Sequence, residues 1–297
     1  MIHVMKSGLL LPLVLACSSA SLADGGDVVW QREVDGYVKA ITAAEGQVFV
    51  AGQASTRNGE FLVGAYDAIS GRLLWQDLVD KGGRSNQALA ITQADGLVFA
   101  VGSANHDLIE DSSAFLVRTY NSSGEFIWEA EVNDGRVNVA TNVVADHERV
   151  FAGGLRKNEV SGFDFVLRTY HARSGSLLWE RDLGRAPVSA RSRRFQLPST
   201  PVPLCTVGNT LITGGATAGS DDLDLLVRAY DARTGRLLWQ DQYQRGGSND
   251  RASAVLAAGY RIFAVGAGSK IGDGNVILIT GQCQVLRALR RPPAFSC

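Results

Sequence analysis

The sequence predicts an all-β chain folded as a β-propeller of four-stranded antiparallel blades, with five blades favoured. Three observations predict it. A block ending in tryptophan recurs: AYDAISGRLLW to Trp75, TYNSSGEFIW to Trp128, TYHARSGSLLW to Trp179 and AYDARTGRLLW to Trp239. After each tryptophan, Trp30 included, comes a β-branched run closing on glycine: Val48–Gly52, Val98–Gly102, Val150–Gly154, Leu211–Gly215 and Ile262–Gly266. Glycine at 33 against proline at 7 is the punctuation of short strands and tight turns. Trp30, Trp75, Trp128, Trp179 and Trp239 are spaced by 45, 53, 51 and 60 residues, a period that belongs to blade-type repeats.

In chain order, Lys6 precedes the apolar run Leu9–Ala16, and Ser21-Leu22-Ala23 is a small-residue cleavage site. Eight apolar residues make about 12 Å of helix, too short to span a bilayer, so 1–23 reads as a secretory signal peptide. A second reading takes Val14-Leu15-Ala16-Cys17 as a lipobox, with a lipid anchor at Cys17. Either way the mature chain is expected outside the cytoplasm, periplasmic or secreted.

The strands Val28–Gln31 and Val38–Ala43 come next, and residues 24–281 read as one propeller domain. Each unit then pairs its glycine-terminated strand with one of the Phe61–Tyr66 type (Phe115–Tyr120, Phe165–Tyr170, Leu225–Tyr230). A turn follows in which Asp67 or Asp231 bonds backbone amides and Gly71 or Gly235 supplies positive φ. The tryptophan strand is third. A fourth is marked by Ala88–Ile91, Val139–Asn142 and Ala252–Val255. With the two N-terminal strands and the C-terminal pair at Ile262 and Asn275–Thr280 sharing one blade, twenty strands make five blades. Residues 282–297 break the pattern and read as an irregular tail.

The charge balance of 29 Lys+Arg against 30 Asp+Glu argues against a nucleic-acid or anionic-membrane footprint, and 45% hydrophobic residues suit a buried core. No other apolar run is long enough to span a membrane. Cys205, Cys283 and Cys297 lack C-x-x-C spacing. Export permits a disulfide from Cys205 to either of the others, and a small buried thiol at Cys205 is the alternative.

The block A-x-D-x-x-T/S-G-x-x-x-W, complete at Ala65–Trp75 and Ala229–Trp239, resembles the tryptophan-docking motif of pyrroloquinoline-quinone-like propellers. Thr169 and His171 replace the Ala and Asp in the copy ending at Trp179. Thr119 and Asn121 replace them in the copy ending at Trp128, which is one residue shorter. The resemblance covers residues 28–280 and implies that Trp75, Trp128, Trp179 and Trp239 lock adjacent blades, a structural role. It also brings in the quinoprotein dehydrogenases, and so a quinone- or calcium-dependent oxidoreductase as the alternative function. Those enzymes carry an adjacent cysteine pair, a tryptophan under the quinone, calcium ligands and a catalytic aspartate. This chain has no adjacent cysteines, and each tryptophan belongs to the repeat. No catalytic, cofactor-binding or metal residue is therefore assigned; quinone and calcium belong to the alternative only.

Other constellations add little. His106, His147 and His171 fall in turns without metal spacing. Gly266-Ala267-Gly268 with Gly272 precedes a strand instead of a helix, so it reads as a hairpin turn and not a phosphate loop. Asp221, Asp222 and Asp224, like Asp273 with Asn275, read as turn chemistry and not a calcium loop. One departure from the repeat has functional content. Trp179 and Leu211 are 32 residues apart where the other copies have 22 or 23, the excess lying in APVSARSRRFQLPSTPVP. Arg191, Arg193, Arg194 and Phe195 there have interface composition and form the candidate partner-binding residues. The leading expectation is a non-enzymatic envelope propeller that binds a protein or peptide, similar in kind to propeller lipoproteins that scaffold outer-membrane assembly.

Overall fold

The computed structural model describes residues 28–83, 85–105, 112–158, 162–185, 202–218, 223–243, 250–258, 261–270 and 273–282. Every regular element among them is a strand. The first sheet is β1 (Gly36–Ala44), β2 (Gln47–Ala54), β3 (Glu60–Asp67) and β4 (Leu73–Val79). The second is β5 (Gln87–Ala94), β6 (Leu97–Ala104), β7 (Ala114–Asn121) and β8 (Phe126–Val132). The third is β9 (Asn138–Ala145), β10 (Arg149–Asn158), β11 (Gly162–His171) and β12 (Leu177–Arg185). The fourth is β13 (Leu204–Val207), β14 (Thr210–Ala218), β15 (Leu223–Asp231) and β16 (Leu237–Tyr243). The fifth has three strands, β17 (Arg251–Ala258), β18 (Arg261–Lys270) and β19 (Asp273–Gln282). Each sheet is an antiparallel meander in chain order, and the inner strands β1, β5, β9, β13 and β17 pack successively against one another. Five stacked sheets are the propeller architecture that the repeat predicts.

The sheets are cut one strand earlier than the sequence reading placed them. The strand after each tryptophan pairs forward: β5, holding Ala88–Ile91, bonds to β6 and opens the second sheet. Its connection to β6 is the two-residue turn Asp95-Gly96, with φ of 49° and 72°, the left-handed pair that closes a tight hairpin. The same phase shift relocates Val38–Ala43. That segment lies in β1 and pairs with β2 in the first sheet, not in a blade shared with the C-terminal strands. Val28–Gln31 is not a strand; Trp30 instead lies against the first sheet. Gly266 to Gly268 lie within β18, so the hairpin turn expected there is an extended strand.

The glycine that ends each second strand has a backbone cause. In four sheets the first strand carries a β-bulge opposite it, at Val38/Ala40, Ala88/Ala90, Ala252/Ala254 and, on the partner side, Gly153/Gly154. The bulge drives a carbonyl into the space a side chain would fill. A Cβ on Gly52, Gly102, Gly154 or Gly266 would lie 1.9–2.1 Å from the oxygen of Tyr37, Gln87, Val139 or Arg251. In the fourth sheet β13 pairs with β14 from Leu204 to Val207, and the residues before Val202, where the equivalent positions fall, lie outside the described ones.

The core sits between sheets. Middle strands are apolar on both faces: Phe61, Val63 and Ala65 of β3 pack forward on Val98, Ala100 and Leu116 of the second sheet, while Leu62 and Tyr66 pack backward under Val34. Equivalent clusters join the second to the third, the third to the fourth and the fourth to the fifth sheet. Cys205 packs half-buried against the last of these.

Candidate functional site

The repeated polar residues converge on the joints between sheets. After the third strand of each of the first four sheets, the chain turns tightly around one side-chain acceptor. Asp67 Oδ1 accepts from the Ser70 amide and hydroxyl, both at 2.7 Å, and Asp231 Oδ1 accepts the same pair from Thr234 at 2.8 Å. Asn121 Oδ1 and His171 Nδ1 take over where aspartate is replaced, accepting from the amides of Ser123 and Ser174. The Ser70 hydroxyl bond, aided by the Ser70 and Ile69 amides, holds the exposed Asp67 carboxyl below its usual range. At Asp231 burial opposes, but the Thr234 and Arg233 bonds still hold the carboxyl low.

Gly71 and Gly235 then adopt φ of 66°, and the tryptophan of the preceding sheet lies on the turn. A Cβ on Gly71, Gly124, Gly175 or Gly235 would come within 2.5–2.6 Å of the ring of Trp30, Trp75, Trp128 or Trp179. Each indole Nε1 donates to a carbonyl of that turn: Trp30 to Ala68 (2.9 Å), Trp75 to Ser122 (3.0 Å), Trp128 to Ala172 (2.7 Å) and Trp179 to Ala232 (3.0 Å). Trp239 packs half-buried against the fourth-to-fifth cluster.

A second set of joint residues escaped sequence reasoning. Arg118, Arg168 and Arg228 stand two residues before Tyr120, Tyr170 and Tyr230, on the face turned to the preceding sheet. The signal was present as a cation inside an otherwise apolar strand, since arginine is almost never fully buried unless paired. What each pair meets depends on the residue two after the facing tryptophan. At the first joint this is Asp77, whose Oδ2 accepts from the Tyr120 hydroxyl (2.8 Å) and Arg118 Nη2 (3.3 Å). Glu129 bonds Arg118 and Lys81, and Lys81 also pairs with Glu131 at 3.3 Å. Burial pushes the Tyr120 hydroxyl pKa up, so it remains a donor.

At the third joint the position holds Arg181. Its Nε donates to the Gly235 carbonyl at 2.8 Å, as Arg32 Nε does to Gly71 at 2.9 Å. Arg181, Leu183, Arg228, Tyr230, Leu237 and Gln240 line an open groove of about 460 Å³. The matching residues Arg32, Val34, Tyr66, Leu73 and Gln76 line one of about 380 Å³ on the first sheet. At the second joint the position holds Ala130.

The structure thus brings together Trp75, Trp128, Trp179, Asp67, Asp231, Gly71 and Gly235 as joint and turn residues. Among the described residues no three His, Cys, Asp or Glu side chains are placed to hold a metal ion. The four indoles that meet a turn each have that glycine against the ring. None of these four rings offers the face that its glycine covers to a quinone. The expected leader 1–23, Cys17, Arg191, Arg193, Arg194, Phe195, Cys283 and Cys297 lie outside the described residues. No helix among those described is long and apolar enough to cross a membrane.

Comparison with solved structures agrees on the fold. The quinohemoprotein alcohol dehydrogenase of Comamonas testosteroni superposes with a TM-score of 0.52 at 14% identity, over 84% of this chain and 43% of that one. The corresponding enzyme of Pseudomonas putida HK5 gives 0.49 at 15% identity, over 84% and 39%. The β-propeller domain of the Trilobed protease of Pyrococcus furiosus gives 0.47 at 8% identity, over 84% and 70%. This chain thus spans about two fifths of the length of the two dehydrogenases. A search of curated proteins returns no match. The family profile for the outer membrane protein assembly factor BamB, a PQQ-like repeat, matches residues 18–185 and again 121–285. Two overlapping matches running through the first four sheets and past the last described strand leave one conclusion: the chain belongs to the BamB family of PQQ-like repeat proteins.

Proposed function

We propose that the protein is a non-enzymatic propeller of the bacterial envelope, exported by its first 23 residues, that binds a protein or peptide. The carrying observation is how the repeated residues are used. The tryptophans, turn acceptors and the arginines Arg118, Arg168 and Arg228 that recur from sheet to sheet hold sheets together, which leaves the unrepeated insertion between β12 and β13 for a partner. The family supports this reading, since its profile is named for an outer-membrane assembly factor. We place the contact on Arg191, Arg193, Arg194 and Phe195, where guanidinium and aromatic groups give the composition of an interface core.

The test is affinity capture from envelope extracts, comparing the wild-type chain with a variant carrying alanine at those four positions. The variant is expected to melt as the wild type does and to lose the partner. Equal capture by both places the contact elsewhere, and no capture by either counts against a scaffold. A quinoprotein oxidoreductase is the second reading, supported by the fold shared with the Comamonas dehydrogenase. Dye reduction with alcohols or sugars after addition of the quinone and calcium favours it; no reduction and no absorbance change removes it.

A further inference from the structure

The second joint differs from the first by one deleted acceptor. In the first, the carboxylate of Asp77 receives Tyr120 and Arg118. In the second, Ala130 stands at the same register, opposite Val117 as Asp77 stands opposite Val63. The donors are nevertheless retained. Arg168 is 3% exposed, with its guanidinium 4.8 Å over the Phe115 ring and Nε donating to Glu180 Oε2 at 2.8 Å. Its Nη1 is buried with no acceptor among the described residues, and so is the hydroxyl of Tyr170, also 3% exposed. A buried donor left without an acceptor is destabilising, so both groups call for one. Burial, against the pull of Arg168, pushes the Tyr170 hydroxyl up to about 12, so it stays a donor at neutral pH.

Charge balance points the same way. At the first joint the cations Arg118 and Lys81 meet the three carboxylates Asp77, Glu129 and Glu131. At the second, Arg168 and Arg156 meet two among the described residues, Glu180 and Asp182. One added negative charge brings the second joint to the balance of the first.

We propose that the second joint is a binding site for a small monoanion of the carboxylate or halide class, held by Arg168 Nη1 and the Tyr170 hydroxyl where the first joint holds Asp77. Arg168 and Tyr170 occupy in β11 the places that Arg118 and Tyr120 occupy in β7, where the neighbouring repeat supplies an acceptor from its own chain. Phe115, Trp128 and Tyr170 in the surrounding apolar cluster keep the medium of low polarity, where a charge-assisted bond is strongest. Ala130 is half-buried and Glu180 about one third exposed, so the joint lies near the surface.

The test compares the melting of the purified chain in sodium formate, sodium chloride and sodium gluconate at equal ionic strength, gluconate being too large to enter. Formate or chloride is expected to raise the melting temperature over gluconate in a saturable way, and their relative midpoints assign the carboxylate or halide preference. Ala130→Asp should raise the melting temperature in gluconate and abolish the formate and chloride increments. Tyr170→Phe, which keeps the ring packing, should weaken formate binding measured by calorimetry about tenfold or more, the loss of one bond to a charged group. Identical melting of the wild type in all three salts overturns the site in favour of water. So does a formate increment left unchanged by both Ala130→Asp and Tyr170→Phe, because the ion then binds elsewhere.

Discussion

The first and second sheets each carry a glycine inside a middle strand, Gly64 in β3 and Gly102 in β6, yet a side chain would meet different neighbours at the two. Opposite Gly102 the bulge in β5 places the Gln87 oxygen 1.9 Å from any Cβ; at Gly64 the nearest described atoms are the Trp75 oxygen and a Val50 methyl, both at 3.5 Å. The difference follows from the pairing: β5 shifts register at Ala88/Ala90 opposite Gly102, whereas β2 pairs with β3 without a shift past Gly64. A strand glycine is thus dictated by the backbone where a bulge faces it. Gly102→Ala should break this comparison most severely. The obstacle is backbone, with no flexible side chain to rotate away, so the loss should exceed the usual cost of overpacking and reach about 4 kcal/mol in urea titration. Gly64→Ala, in extended chain where a methyl meets only ordinary contacts among the described residues, should instead gain about 0.5–1 kcal/mol by restricting the unfolded state. Equal losses at the two positions would remove the bulge as the explanation.

The tryptophans allow a similar contrast between the interior of the stack and its first face. Trp179 is 7% exposed and joins two complete four-stranded sheets, while Trp30 is half-buried and rests on the first sheet from a segment outside any strand. Trp179→Ala should cost about 3 kcal/mol, the low end for deleting a buried indole, and Trp30→Ala distinctly less. If Trp30→Ala is the more damaging, the segment before β1 contributes more than its own burial accounts for.

How far all this was legible follows from the same elements. Composition, period and the Asp-to-Trp block define the strands, the turns and the joint tryptophans, because each of those features is local. The phase of the repeat is not local. A period of fifty says what recurs but not where the chain crosses between sheets, and the crossing was assigned one strand too late. The tight turns Glu45-Gly46 and Asp95-Gly96 carried that information, since a two-residue left-handed turn can only join hairpin neighbours. The Arg-x-Tyr pairs were missed for another reason. Their partners, such as Asp77 for Tyr120, lie 43 residues away on another sheet, and no short motif contains both.

The two middle sheets also differ from the first and fourth at the residue paired with the tryptophan. Ala65 and Ala229 face Trp75 and Trp239, but Thr119 and Thr169 face Trp128 and Trp179. Both threonines are fully buried, and their hydroxyls have no partner among the described residues. Removing such a hydroxyl without changing the shape relieves a desolvation penalty, so Thr119→Val should stabilise by about 1 kcal/mol. Thr119→Ala should gain less, because a small cavity offsets the benefit. A loss with valine would mean that the hydroxyl has an acceptor, a solvent molecule being the simplest.

The smallest effect concerns the turns. Asp67 and Asp231 hold their turns as carboxylates with lowered pKa, while Asn121 and His171 do so with other acceptors. A carboxyl whose folded pKa lies below its unfolded value contributes stability that is fully present above the unfolded pKa near 4. That contribution is lost as pH falls through the folded value. Asp67→Asn keeps the acceptor oxygen, as Asn121 does, and removes the titration. The variant should therefore be about as stable as the wild type at pH 7 and lose stability less steeply between pH 5 and 2 in acid titrations. The effect is modest because Asp67 is exposed and solvent screens its charge. An unchanged acid slope in the variant would show that the turn depends on the geometry of the acceptor and not on its charge, as the His171 turn already suggests.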